Sequence, residues 1–389
     1  MRAKITRFLT LISKLKDLSS IGIADLVTKG VSSIFWFYMA TLLTTEEYGS
    51  INYFIATASI VSVISLIGST NAITVYSAKK VNIRPAMYIL TSVFSVVSSI
   101  VLFLMFYNVG LSLLIVGYVI AGLVTSELLG VKFYTKYAKY LMLQNGSMVL
   151  LAILFYHMIG VNGVVVGIAL SHFAYLPRII KEFRGAKIDF TQLKPRFSFI
   201  MNSYILTLSS VFSSSLDRLI VAPLLGFSLL GNYSLGIQFL NLLNILPNIV
   251  FKYVLPQDAS GISNVKLKRY TVMISFGALA LGVIVSPILV PAFFPKFSSA
   301  VDVIQIVSFS TIPYAINQML ISKFLGIERS RIVLIGSGIF IAVQLSGIFA
   351  LGSIYGIKGV AVAFVLAFSA QCAFLLIVNQ MHNKKNRST

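Results

Sequence analysis

Apolar stretches of about twenty residues recur along this 389-residue chain, at 20–43, 51–76, 86–107, 110–130, 139–158, 161–179, 199–225, 229–253, 270–292, 300–323, 331–352 and 357–380. At 1.5 Å of rise per residue, each is near the length that crosses the ~30 Å hydrocarbon layer of a bilayer. With 57% hydrophobic and 11% charged residues and a mean hydropathy of +0.91, the chain has no folded solution in water. In hydrocarbon every backbone N–H and C=O must be satisfied internally, and spans of this length do so as helices. The expectation is an all-α polytopic membrane protein with twelve transmembrane helices. The net charge of +20 is scattered through short gaps, not gathered in one arm or patch, so nucleic acid is not the expected partner.

The basic residues alternate between gaps. One set comprises Arg2, Lys4, Arg7, Lys14 and Lys16, then Lys79, Lys80 and Arg84, then Lys132, Lys136 and Lys139, then the run from Arg178 to Arg196. It continues with Lys252, Lys266, Lys268 and Arg269, then Lys323, Arg329 and Arg331, and ends at Lys384, Lys385 and Arg387. The intervening gaps hold only Lys296 and Lys358, with the acidic Glu46, Glu47 and Asp302. This bias predicts a multi-pass protein of the cytoplasmic membrane with both termini in the cytoplasm and the first span acting as an uncleaved signal anchor. The charged connection Arg178–Arg196 lies near the midpoint and predicts two six-helix lobes, 1–190 and 191–389. A weak internal match supports duplication: the segment from Ile159 resembles that from Tyr355, with Gly160 over Gly356 and Gly163 over Gly359. Leu42–Gly49 can likewise be laid on Leu224–Gly231. Repeats of six spans share one orientation and are related by an axis along the membrane normal.

Polar residues inside spans cost free energy and mark candidate sites. Gln238, Asn241, Asn244 and Asn248 fall on about one third of a helix circumference at 100° per residue, which reads as the lining of an aqueous path or as interhelical hydrogen bonding. Ser59, Ser62, Ser65 and Ser69 form a second stripe, read first as helix packing. Asn202 adds another amide. Asp25 and Lys29 share a helix face, whereas the neighbours Asp217 and Arg218 point about 100° apart and each needs a partner elsewhere. Lys29 and Arg218 are the two cations placed well inside spans. Glu127 calls for neutralisation by Lys132 or by a base from another helix. His172 is read as packed, with a proton relay as the alternative. Pro223, Pro247, Pro287 and Pro313 all lie inside second-half spans, as hinges or as static curvature. Cys372 is the sole cysteine, so neither a disulfide within the chain nor a thiolate metal site is expected.

Glu46-Glu47-Tyr48-Gly49, Asp217-Arg218 followed by Gly226 and Gly231-Asn232-Tyr233, and Tyr355-Gly356 through Gly359-Val360-Ala361 together resemble Wzx-type oligosaccharide flippases. These belong to the multidrug/oligosaccharidyl-lipid/polysaccharide exporter superfamily. The resemblance implies two lobes around a central, often cationic cavity and translocation of a polyprenyl-pyrophosphate-linked oligosaccharide to the outer leaflet. Lipid II flippases, usually of fourteen helices, resemble the chain less. The implied partners are the lipid-linked glycan, membrane lipids, a proton or sodium ion, and glycan-assembly proteins. Lys29, Ser62, Asn202, Arg218, Gln238, Asn241, Asn244 and Asn248 are the candidate substrate contacts, and Asp25 and Asp217 the ion-coupling candidates. No GxxxxGK[ST] loop or HExxH occurs, and no cofactor, metal or catalytic residue is expected. A drug or organic-cation antiporter of the same fold is the alternative. A membrane glycan polymerase or acyltransferase would need a charged site that the short, nearly uncharged outer gaps do not supply.

Overall fold

The computed structural model describes residues 26–183, 188–261 and 264–388. The N-terminal basic cluster, Asp25, Arg184 and Lys187 lie outside the described residues. No strand occurs among the described residues. The helices are α1 (26–42), α2 (Thr45–Leu66), α3 (Ser69–Ala78), α4 (Arg84–Phe106), α5 (Val109–Gly130), α6 (Tyr134–Ile159), α7 (Val161–Ser171) and α8 (Leu176–Phe183). The second half continues with α9 (Phe197–Leu225), α10 (Phe227–Leu243), α11 (Ile245–Ala259), α12 (Val265–Phe293), α13 (Ala300–Ser308), α14 (Thr311–Gly326), α15 (Ser330–Gly347) and α16 (Ser353–Ser388).

Among the described residues every expected span is occupied by helix, but three of the spans are broken. Among the described residues, eight helical stretches are long and apolar enough to cross a bilayer unaided, and nine if the bent pair α10–α11 counts as one. One of the eight, Ser330–His382, contains both α15 and α16, which pack side by side. The span expected at 51–76 breaks where Ile67 and Gly68 take positive φ. The other two breaks have one cause. Proline lacks the N–H that would bond to residue i−4, and its ring crowds that carbonyl. For Pro247 the residue four back is Leu243, where α10 ends, and α11 leaves at 50°. For Pro313 it is Phe309, where the chain breaks between α13 and α14. Pro223 and Pro287 lie within the unbroken α9 and α12.

Contacts divide the chain into two compact units, residues up to Phe35 with Phe54–Val211, and Trp36–Tyr53 with Phe212–Thr389. This partition differs from the expected boundary after residue 190. It falls inside α9, because the second half of that continuous helix buries Val221 and Ala222 among α10, α13 and α16. The first unit is centred on Ile73, Met87, Tyr88, Val119 and Leu123, the second on Val221, Leu230, Tyr233, Val303, Phe340 and Val360.

The matched glycines of the two halves adopt matched backbones. Gly160 (φ 71°, ψ −149°) turns α6 into α7, and Gly356 (φ 58°, ψ −138°) turns the chain into the long part of α16. Three residues on, a Cβ at Gly163 would overlap the carbonyl oxygen of Phe155, and one at Gly359 that of Leu351. Each glycine thus lets two sequential helices touch backbone to backbone. Gly359→Ala is therefore expected to destabilise the protein by about 1–3 kcal/mol through overpacking. Gly277→Ala, where a Cβ meets nothing within 4 Å, should be neutral or mildly stabilising. Thermal unfolding of the two variants in detergent makes the comparison.

Candidate functional site

The motifs singled out in the sequence converge at one end of the second unit. Thr44 and Glu47 form a capping box at the start of α2: the Thr44 amide donates to Glu47 Oε2 (2.8 Å) and the Glu47 amide to Thr44 Oγ1 (3.2 Å). This fixes the turn after α1 and drives Tyr48 inward, where it is 1% exposed and meets Trp36 and Phe297 edge to face. A Cβ on Gly49 would overlap the carbonyl oxygen of Phe227, and a Cβ on Gly231 that of Thr45, so α2 and α10 cross at the two glycines. Thr45 Oγ1 and Ser228 Oγ share a hydrogen bond of 2.8 Å beside the crossing.

Beneath it lies the Asp217–Arg218 pair of α9. Asp217 is buried, and its Oδ2 accepts from the Tyr233 hydroxyl (2.7 Å) while Oδ1 accepts from the Arg218 amide (2.8 Å). Tyr233 is thus the partner the sequence called for, and the family-like spacing of Asp-Arg and Gly-Asn-Tyr gains a physical meaning. The Arg218 guanidinium is an electrostatic neighbour of Asp217, Tyr48 and Tyr233; its side chain forms no close ion pair or hydrogen bond among the described residues, and its Nε is buried without a partner. Asn232 Oδ1 and Ser234 Oγ nearby in α10 are also buried and unbonded.

The amide stripe does not survive as one face. Asn244 occupies the break between α10 and α11, so Gln238 and Asn241 lie on one helix and Asn248 on the next. Asn248 Oδ1 accepts from the Tyr314 hydroxyl (2.6 Å) and from Gln318 Nε2 (3.1 Å), a set of interhelical bonds to α14. Asn244 is buried with an unbonded Oδ1, whereas Asn241 is exposed. The expectation of a straight, continuous polar helix is therefore corrected, and the cause is Pro247.

In the first unit, Lys29 is exposed on α1 without a hydrogen bond or ion pair among the described residues, and its expected neighbour Asp25 is not described. Asn202 is exposed on α9. Ser62 is buried and donates to the Ser59 carbonyl (2.9 Å), while Ser65 donates to Val61 and reaches Ser98, the packing use expected of that stripe. His172 is packed against Tyr118, and its Nδ1 bonds to the Ile168 carbonyl (2.8 Å). Glu127 is fully buried and takes Arg178 (2.5 Å) and Arg84 (3.1 Å); both arginines also pair with Glu182. Its neutralising bases come from other helices, not from Lys132. Sequence reasoning placed Arg178 in a linker and saw it only as a topology charge. Lys296 was visible only as an isolated outer cation.

Among the described residues, then, the two buried carboxylates, Glu127 and Asp217, both accept hydrogen bonds, while the side chains of Lys29 in the first unit and Arg218 in the second make none, so that each, taken by itself, has donors free for an anion. No group of three or more metal-ligating side chains occurs among the described residues.

No protein-family model matches the chain, and no curated protein does. Solved structures match along nearly its whole length. A structure described as "Lipid II flippase MurJ, inward closed conformation" is 14% identical, covers 92% of this chain and 87% of its own, and superposes with a TM-score of 0.76. An inward-facing multidrug resistance MATE family transporter of the MOP superfamily is 13% identical over 93% of this chain and 95% of its own, with a TM-score of 0.71. An outward-facing MATE family structure gives 12% identity over 94% and 95%, with a TM-score of 0.62. The chain has the fold of these transporters. The lipid II flippase, expected from its usual fourteen helices to resemble the chain less, superposes over 92% of this chain and 87% of its own.

Proposed function

We propose that the protein is a membrane transporter that flips a polyprenyl-pyrophosphate-linked oligosaccharide from the cytoplasmic to the outer leaflet, and that Lys29 and Arg218 contact the pyrophosphate. The observation that supports this reading is an asymmetry of hydrogen bonding: the buried carboxylates accept from Tyr233, Arg84 and Arg178, while the side chains of Lys29 and of Arg218, the latter in the field of Asp217, make no hydrogen bond or ion pair among the described residues. A phosphodiester brought into a low-dielectric path needs such donors. An exporter of organic cations needs the reverse. Gln238, Asn241 and Asn202, whose side chains hold no hydrogen bond among the described residues, and the buried carbonyl of Asn244 suit the sugar hydroxyls, with Ser62 and Asn248 the weaker assignments because of their bonds.

The membrane potential is the proposed drive. Moving two negative charges outward across about 100 mV is favourable by about 4.6 kcal/mol, at roughly 2.3 kcal/mol per charge. Both oxygens of Asp217 already hold structural donors. Asp25, the other coupling candidate, lies outside the described residues.

Deletion of the gene is expected to abolish a surface glycan, and a plasmid copy to restore it. An unchanged glycan together with new sensitivity to cationic drugs would reverse the reading in favour of an antiporter.

A further inference from the structure

We propose that one end of the first unit carries a docking site for the phosphate of an anionic phospholipid, built by Lys79 and Arg196 over the ring of Tyr76. Lys79 follows the last residue of α3 and Arg196 leads into α9, yet both cations are held on one ring. Lys79 Nζ lies 5.9 Å and Arg196 Cζ 5.2 Å from its centroid. Phe199 meets the same ring edge to face, which fixes its place between α3 and α9. The carboxylates of this end are taken by other groups. Glu127 and Glu182 hold Arg84 and Arg178, and Asp189 accepts from Thr191 and Gln192. Arg196 Nη1 donates to the Gln192 carbonyl and to Gln192 Oε1 (3.1 Å), so the guanidinium is positioned by neutral oxygens. Among the described residues neither Lys79 nor Arg196 has a carboxylate within ion-pair distance. Two like charges brought to one ring repel each other, and an anion bound beside them offsets that cost.

The surroundings fit a lipid and not a free anion. On the connection that carries Lys194 and Arg196, Ile188, Phe190 and Phe197 are 50%, 50% and 61% exposed. The turn after α5 lies at the same end, since Gly130 abuts Thr74 and Ser77 of α3, and there the exposed ring of Phe133 sits under Lys136 at 4.7 Å. Apolar side chains open to the surroundings among cations are what a membrane interface selects, with the apolar groups at the acyl boundary and the charges at the level of the phosphates. A soluble anion would need only the charges. The opposite end of the same unit is the contrast. The turns after α4 and α6 hold no Lys, Arg, Asp or Glu there and are joined by a bond between Asn108 and Asn162 (3.3 Å). The charged end is the one that the bias of basic residues assigns to the cytoplasm, where the facing leaflet is the anionic one.

Binding is read without transport, so the test stands whatever the cargo is. Purified full-length protein in an uncharged detergent is titrated with phosphatidylglycerol, phosphatidylcholine or a polyprenyl phosphate, and bound lipid is counted by native mass spectrometry. The wild type should bind phosphatidylglycerol more tightly than phosphatidylcholine. Lys79→Ala/Arg196→Ala should lower the phosphatidylglycerol affinity roughly tenfold or more, at about fivefold per basic residue. Thermal unfolding in lipid-free detergent checks that this pair is folded. If it is not, Lys79→Gln alone, at an exposed side chain, should show about a fivefold loss. The pair Lys79→Arg/Arg196→Lys keeps both charges and should keep the affinity. Lys139→Ala/Lys181→Ala removes two exposed charges from the same end without touching the Tyr76 ring and should change the affinity little. An equal loss in the two alanine pairs would mean a diffuse charged face and would overturn the site, as would a wild type with no preference for phosphatidylglycerol. A wild type that prefers polyprenyl phosphate, and loses that preference in Lys79→Ala/Arg196→Ala, would overturn the phospholipid in favour of the cargo.

Discussion

Arg218→Ala, expressed at the wild-type level, is expected to lose translocation by about one to two orders of magnitude, because a hydrogen bond to a charged group is worth about 1.5–3 kcal/mol and such a loss falls on the rate. Arg218→Lys should retain part of the activity, since lysine keeps the charge but not the planar fork. Asp217 keeps the Tyr233 hydroxyl and a backbone amide when the guanidinium is removed but loses the positive charge beside it, so Arg218→Lys, which retains that charge, is the variant that separates translocation from stability. Lys29→Ala should impair translocation in the same sense, and its exposed position separates that loss from misfolding. Full activity of both well-expressed alanine variants would remove the pyrophosphate assignment and transfer it to Gln238 and Asn241.

Glu127→Ala is expected to have the largest effect on stability, about 3–5 kcal/mol, because it removes the fully buried carboxylate that two arginines share and leaves both to the partly exposed Glu182. The pair Lys358–Asp302 is the internal contrast. It is formed at 2.9 Å between side chains 60% and 43% exposed, so Lys358→Ala should cost about 0–1 kcal/mol. Folded yield and thermal unfolding in detergent would separate the two variants. Equal stability of Glu127→Ala and Lys358→Ala would mean that the Arg84–Glu127–Arg178 network is not structural.

Helix class and span positions were legible in the sequence because the bilayer leaves so few ways to satisfy a backbone, and the twelve apolar stretches all became helix where described. The breaks were only half legible. Pro247 and Pro313 announced a disruption, but proline acts on the residue four before it, so each break appears upstream, at Asn244 and at Phe309, and the amide stripe built on a straight helix divides there. Pro223 and Pro287 carry the same signal and sit in unbroken helices. Periodicity places residues on one element and cannot say which other element they meet. That is why Glu127 was seen to need a base without Arg84 and Arg178 being found, and why Asp217 was seen to need a partner without Tyr233 being named. The duplicated turns were the exception. Gly49 and Gly231, and Gly160 and Gly356, were matched by sequence alone, and each pair has one physical job, a close crossing for the first and a positive-φ corner for the second.

The most direct test of the central claim is a translocation assay with the purified full-length protein in sealed proteoliposomes, using a fluorescent polyprenyl-pyrophosphate oligosaccharide and an impermeant quencher. Under an imposed potential the wild-type protein should raise the fraction of lipid exchanged between leaflets, and Arg218→Ala should not. Exchange that is the same with and without protein, in vesicles where the protein does move an organic cation against an ion gradient, would contradict the assignment of a lipid-linked glycan as cargo.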